Sequence, residues 1–552
     1  MTRKLGGART GWLAGAVLLW AQSGCTQSDE PEPSPFGSAP VVAGCEDEVL
    51  PDDGLLVMPE GVDVAEEPAT CAQAEASRSY VGCDFWPTVT GNVVDPNYEF
   101  VVAVANTGTQ AALVSITRAG LPYAEIEISP NSIRKIELPW VDELKGAVEA
   151  IGTAVPSASV LDGAYHLTSS VPVTAYQFNP LRYTGELEPS YTNDASLLIP
   201  SHALTGTYSV TGYPGWHNDG FALLGPFVAI TGTEDNTTVE VKLSATGNLV
   251  SGGVVVGNPG AGSQTRFTLA RGQVVQLFGT AFADLSGSLV LADKPIQVIS
   301  GIPCTYVPSN MEACDHLEEI VMPLESWGRH YFVGLPSGAL GDRADEVIRF
   351  YGAVDGTELQ YPTGAKPNGA PDRLSAGEVV TVWDTSEGFE VLASEAFAIN
   401  TFLQGAVLDV RTLAGDPAQS LVSSVEQYRK HYVFIAPTDY LVQEVYLDGT
   451  IGPFQSGNFV DITHELGTSL VLDGVSVSEL PDGTSVVGRD ESIGCSNYVT
   501  TRIRLSDTFE GAHVLKAGSP VGIQVIGYGE FTSYQYPGGL NVTAIADFGD
   551  IR

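Results

Sequence analysis

The sequence predicts an all-β protein built from tandem β-sandwich-like repeat units, and three observations carry that reading. Gly and Pro contribute 61 and 34 of the 552 residues, more than average usage, which marks many turns rather than long helices. Residues 100–104, 273–277 and 523–526 are short apolar-rich runs that read with period two as strands with one buried face. A pattern of Gly, strand, Pro, strand also recurs four times. Its copies start at Gly163, Gly287, Gly388 and Gly511 and carry Pro172, Pro295 and Pro520, with Ala396 replacing the Pro in the third copy.

In chain order, Arg3, Lys4 and Arg9 precede an apolar run from Trp12 to Trp20 that closes on Ser23-Gly24-Cys25. This predicts a lipoprotein signal peptide over 1–24, with acyl chains on Cys25 as the membrane anchor. Thr26, rather than Asp, follows the cysteine and resembles an outer-membrane address. From Thr26 to Glu75 the chain carries acidic residues and no basic ones, with Pro and Ser between Asp29 and Pro40. Residues 25–75 therefore read as an extended acidic tether whose later part forms a cysteine loop.

The body then divides into β units at 76–215, 216–338, 339–438 and 439–552. After three copies of the repeat, an acidic residue and an apolar run appear at Asp194, Asp315 and Asp416, followed by Tyr208, Tyr331 and Tyr432. The two series keep register to within two residues, which points to duplication. Residues 227–241 around Glu234-Asp235-Asn236, 346–361 around Asp355-Gly356, 442–450 around Asp448-Gly449, and 98–117 read as hairpins on turn chemistry. Units of this length suit sandwiches that intertwine where a strand from one completes the next. A β-propeller-like arrangement with decorated blades is the alternative. Only 141–149 carries a helical stripe.

Apart from Cys25, six cysteines remain in a chain read as exported, so disulfides are the default among Cys45, Cys71, Cys83, Cys304, Cys314 and Cys495. Cys304 with Cys314 is the firmest pair, while Cys45 and Cys71 pin the leader to each other or to the first unit. Zinc is the competing reading, with only His316 nearby and no CxxC in the chain.

The 26 basic residues against 66 acidic give a net charge of −40. That field repels nucleic acid and anionic lipid, so membrane contact is expected through the lipid anchor only. Catalytic motifs are missing: His464-Glu465 lacks the second zinc histidine, no GxSxG elbow occurs, and there is no phosphate-binding glycine loop. Glu318 and Glu319 are adjacent and would face opposite ways on a strand, unlike a glycosidase pair. Glu234, Asp235, Asp355 and Asp448 are the metal candidates, as oxygen ligands of a structural calcium, although tight turns use the same residues. No other cofactor is expected. Tyr213, Trp216, Tyr534 and Tyr536 lie beside glycines and are the ligand-binding candidates, with core packing as the competing reading.

Several phrases in order, Gly82-Cys83-Asp84-Phe85-Trp86, Asn193-Asp194 with the following apolar run, Cys314-Asp315-His316 and Pro323 to Gly328 among them, resemble the IgGFc-binding protein N-terminal domain family, and the chain is similar to a bacterial, myxobacterial-type lipoprotein member. The resemblance implies adhesion or matrix binding rather than catalysis, and transfers no residue set for IgG. The expected function is therefore a lipid-anchored module at the outer membrane or cell surface that binds an extracellular protein, glycan or matrix component. The alternative is a secreted carbohydrate-active or other hydrolase with an acidic site between units.

Overall fold

In the computed structural model the described residues run from 68 to 548, except 107, 147–153, 184–189, 191, 219–221, 312, 406–410, 447 and 507–510. The expected signal peptide, Cys25, Cys45 and the expected tether up to residue 67 lie outside the described residues. The described residues are all-β apart from short helices. Among the described residues no helix is long and apolar enough to cross a membrane.

The recurrent Gly-Pro pattern is the strand that passes from one sheet of a sandwich to the other. In the first unit the strand His166–Phe178 pairs with Gly82–Phe85 and Ala112–Arg118 before the corner, and with Phe100–Asn106 and Ala195–Leu197 after it. In the fourth, Ala512–Gly529 pairs first with Arg429–Ile435 and Leu470–Leu472, then with Asn458–Glu465 and Thr532–Pro537. The second and third units break the same path into Leu289–Ala292 with Ile296–Thr305, and Phe389–Ala393 with Phe397–Leu403. Gly287 and Gly511 sit at φ +76° and +85°, a conformation that explains glycine at the entry of those copies.

Three of the expected hairpins are arches instead. Phe227–Gly232 pairs with Val274–Phe278 and Ile296–Thr305 in one sheet, while Thr237–Lys242 pairs with Gln264–Leu269 and Leu289–Ala292 in the other. Glu346–Gly352 and Thr357–Gln360 are split between sheets in the same way, and Phe100–Asn106 and Ala112–Arg118 pair with opposite halves of His166–Phe178. Alternation shows only that each strand has one buried face; two such faces pack across a sandwich as readily as two backbones pair within a sheet. The segment around Asp448 does fold back, with a bridge between Val445 and Ile451.

The expected boundaries at 215, 338 and 438 also shift. The tyrosine-bearing strands Thr207–Ser209, His330–Val333 and Arg429–Ile435 lie before those limits but pair into the sandwich that follows. Ala158–Val160 likewise completes a sheet of the second unit by pairing with Val274–Phe278. The last eight residues assigned to the tether include the start of a helix, Cys71–Ser77, closed by a Thr70 and Gln73 capping box. The helical stripe at 141–149 is reduced, within the described residues, to Asp142–Lys145.

Each unit boundary is built alike. A short 3₁₀ turn (Ser201–Ala203, Leu324–Ser326 or Val425–Gln427) leads into a buried tyrosine whose hydroxyl ties the new strand to the corner of its own unit. Tyr208 donates to the Ile296 carbonyl at 2.6 Å, Tyr331 to Phe397 at 2.7 Å, and Tyr432 to Val521, while each hydroxyl accepts the amide three residues upstream. Register places Phe85 at this position in the first unit. Tyr208→Phe and Tyr331→Phe should each cost about 1–3 kcal/mol, because a buried carbonyl and amide lose their partner. Urea midpoints check this, and Phe85→Tyr should bring no comparable gain.

The four units form a closed ring. Their innermost strands, Ala195–Leu197, Asp315–Ile320, Gln419–Leu421 and Thr532–Pro537, contact one another in sequence and back to the first. The ends of the body close it: Ser79 bridges Asn541, Tyr80 takes the Leu540 carbonyl, and Val542 donates to the Arg78 carbonyl. Between the fourth and first units, Tyr176 donates to the Val433 and Gly538 carbonyls. The architecture is thus both tandem sandwiches and a propeller-like ring of decorated blades.

Candidate functional site

The acidic landmarks of the repeat meet at the centre of the ring. Asp194 accepts backbone amides of Ala195 (2.9 Å), Glu318 (3.0 Å), Gln419 (3.1 Å) and Gln535 (3.4 Å), one from each unit. Asp315 accepts its neighbour His316 at 2.7 Å, Asn193 from the first unit, and Ser533 from the fourth at 3.4 Å. Asp416 is buried with both carboxylate oxygens lacking a hydrogen-bond partner. Glu318 and Glu319 are fully buried as well. Glu318 accepts from Thr90, Asn179 and Gln177, and Glu319 from Ser196 and the Ile320 amide. Asp194, Asp315, Glu318 and Glu319 thus bind strands together.

Burial first, then the charges of Asp416 and Asp194, push the Asp315 carboxyl well above its usual range, and burial does the same to Asp416. Burial also raises Asp461 to about 6. A carboxyl raised in the fold keeps a proton that the unfolded chain has lost. Its stabilisation is therefore complete below the unfolded value of about 4 and is lost as pH rises through the folded value. In chelator and high salt, which screens the net charge, the melting midpoint should rise as pH falls from 7.5 to 5. Asp416→Asn should flatten that slope, measured by thermal unfolding across pH.

A cleft of ≈ 650 Å³ opens where the first and second units meet, beside the Cys71–Cys83 disulfide. Strand Gly82–Phe85 brings Asp84 to it, the 3₁₀ turn brings Ser201 and His202, and second-unit loops bring Glu234, Asp235, Arg271 and Lys294, while His166 on the strand paired with Gly82–Phe85 contacts Asp84 from behind this lining. Asp84 contacts His166 Nε2 at 2.7 Å and accepts from the Ser201 hydroxyl, which in turn accepts Trp86 Nε1 at 2.9 Å. Burial opposes the Asp84 charge, but hydrogen bonds from His166 and Ser201 and the charges of His166 and Arg271 outweigh it and hold the carboxyl below its ordinary value. The His166 ring stacks on Trp86 at 4.4 Å, and Arg271 lies over the same indole at 5.3 Å.

This resembles a hydrolase triad in composition but not in order. The carboxylate lies between serine and histidine, so the Ser201 proton is committed to Asp84 and no imidazole stands ready to accept it. What the cleft offers is a recognition surface: fixed cations at Arg271 and Lys294, anions at Glu75, Glu234 and Asp235, and a His202 Nε2 that is buried without a hydrogen-bond partner.

The sequence-derived candidates fall elsewhere or serve other ends. Tyr534 and Tyr536 are completely buried, stacked on each other and against Phe178, so they are core rather than ligand loop. Tyr213 packs on Phe402, and Trp216 on Tyr306, at 4% and 3% exposure. Glu234 and Asp235 reach the cleft, but Lys294 lies 3.9 Å from Glu234 and Asp235 caps the Arg271 amide at 3.0 Å. Asp355 caps Ala376, and Asp448 caps Thr450 through amide and hydroxyl, which lowers its carboxyl pKa. Among the described residues no three His, Cys, Asp or Glu side chains are grouped as metal ligands. Cys304 is joined to Cys314, Cys71 to Cys83, and Cys495 is disulfide-bonded. Sequence reasoning missed Asp84, His166, Ser201 and Arg271, which lie far apart in the chain; Trp86, in the phrase Gly82 to Trp86, was the available signal.

Comparison with known proteins adds two findings. The sequence model of the family described as IgGFc binding protein matches residues 194–527, from the central Asp194 into the last long strand. The human IgGFc-binding protein is 28% identical over 242 residues, which cover 44% of this chain and 4% of that relative's length.

Proposed function

The chain belongs to the IgGFc-binding protein family, and from that premise we propose that it is a non-catalytic binding module held at the bacterial cell surface. The lipid on Cys25 anchors it, and the acidic tether carries the ring away from the outer membrane. Its partner is an extracellular protein, glycan or matrix component, engaged at the cleft between the first two units. One observation carries the reading: the Ser, His and Asp side chains beside the cleft are wired for structure, with Asp84 bonded to both Ser201 and His166 and standing between them. The buried state of Glu318 and Glu319 argues in the same direction against an acidic hydrolytic centre between units.

The test is a retention and turnover screen of the mature protein against polysaccharides, peptidoglycan and extracellular proteins, IgG Fc included. Saturable retention without products is expected. Arg271→Ala together with Lys294→Ala should weaken it at least about tenfold, as loss of two charged contacts does. Released products, or retention unchanged in the double variant, would contradict the assignment. Palmitate labelling lost in Cys25→Ser checks the anchor.

A further inference from the structure

We propose that the interior cavity between the third and fourth units binds a hard divalent cation of the calcium class, held by oxygen atoms. The cavity measures ≈ 40 Å³ and is lined from the third unit by Glu346 and Ser423 and from the fourth by Asp461, Thr500 and Gln535. All five are at least nine-tenths buried. Glu346 Oε1, Ser423 Oγ, Thr500 Oγ1 and Gln535 Oε1 have no hydrogen-bond partner, and each is an oxygen.

Two carboxylates therefore line one buried pocket that has no basic side chain among its lining residues. Arg502 pairs in register with Asp461, yet its guanidinium is spent on Glu491 at 2.9 Å and on the Gly341 and Asp342 carbonyls. Asp461 is held from behind by the Ser337 amide and hydroxyl at 2.7 and 2.6 Å, which fixes its orientation and leaves lone pairs free. Burying an unpaired carboxylate is costly unless a proton or a cation neutralises it. Carboxylate, hydroxyl and amide oxygens together are the donor set of calcium, which tolerates mixed ligands and irregular geometry. A space of this size takes an ion with one or two waters, since one water needs roughly 10–15 Å³. Burial and then the Asp461 charge push Glu346 well above its usual range, so occupancy would release protons.

The experiment is isothermal titration of the chelated, purified mature chain with calcium chloride, paired with thermal unfolding in calcium and in chelator. Wild type should bind calcium and melt about 2–5 °C higher at a hundredfold excess over its dissociation constant. Glu346→Gln should keep its chelator midpoint and lose the calcium-dependent rise, with affinity down at least about tenfold. Thr500→Val, which leaves both acids in place, should weaken binding by a smaller factor and serves if the first variant does not fold. Wild type that binds no calcium would overturn the proposal in favour of a proton on Glu346. Binding unaltered in both variants would overturn it by placing the ion elsewhere.

Discussion

Asp194→Ala should prevent the ring from assembling. Its carboxylate accepts amides of Ala195, Glu318, Gln419 and Gln535, so one side chain joins the innermost strands of all four units. Alanine leaves those amides buried without acceptors, at about 1–3 kcal/mol each, and the sum rivals the roughly 5–15 kcal/mol of a whole domain. Asp194→Asn keeps the shape and one acceptor oxygen and should fall between the two. Urea unfolding followed by tryptophan fluorescence, with soluble yield as the coarse readout, checks the order wild type, Asn, Ala. An alanine variant as stable as wild type would mean that the central carboxylate is dispensable.

The second large effect is expected at Arg349, the bolt between the second and third units. Its guanidinium donates to the Gly212 carbonyl, to Ser286 at 3.0 Å and to Asp284, with Tyr213 and Tyr351 rings at 5.9 and 5.6 Å. Tyr351 also donates to the Gly212 carbonyl at 2.8 Å. Arg349→Met removes the charge but keeps bulk, and leaves Asp284 facing the interface alone. Breaking such a buried pair costs about 3–5 kcal/mol. Lysine retains the charge without the planar fork, so it should recover only part. The double variant Arg349→Met with Asp284→Asn should be less damaged than the sum of the singles, because the unpaired anion is gone.

The repeat is legible in the amino-acid sequence because its landmarks are structural requirements: glycine at the entry, at a positive φ in two of the four copies, proline at a sheet corner, and tyrosine bonded to that corner in three units. Which sheet each strand joins is not legible there, since an arch and a hairpin share one alternation. Asp194, Asp315 and Asp416 stand out as landmarks, yet in a chain of net charge −40 acidic residues read as solvated; their amide partners come from distant strands. Tyr534 and Tyr536 beside glycines suggest ligand loops. The glycines instead allow close packing: a Cβ on Gly539 would lie 2.4 Å from the Tyr80 ring, and across the sheet a Cβ on Gly527 would lie 1.9 Å from Tyr534. Asp84, Ser201 and Arg271 at the cleft, and His166 behind Asp84, carry no common sequence spacing, so only the fold brings them together.

Scanning calorimetry of the mature protein tests the closed ring most directly. With one carboxylate shared by four units and Ser79 bridged to Asn541, the account predicts a single cooperative transition whose calorimetric and van't Hoff enthalpies agree. Two or more resolved transitions, each lost on deleting one unit while the others persist, would show independent sandwiches on a string and contradict it.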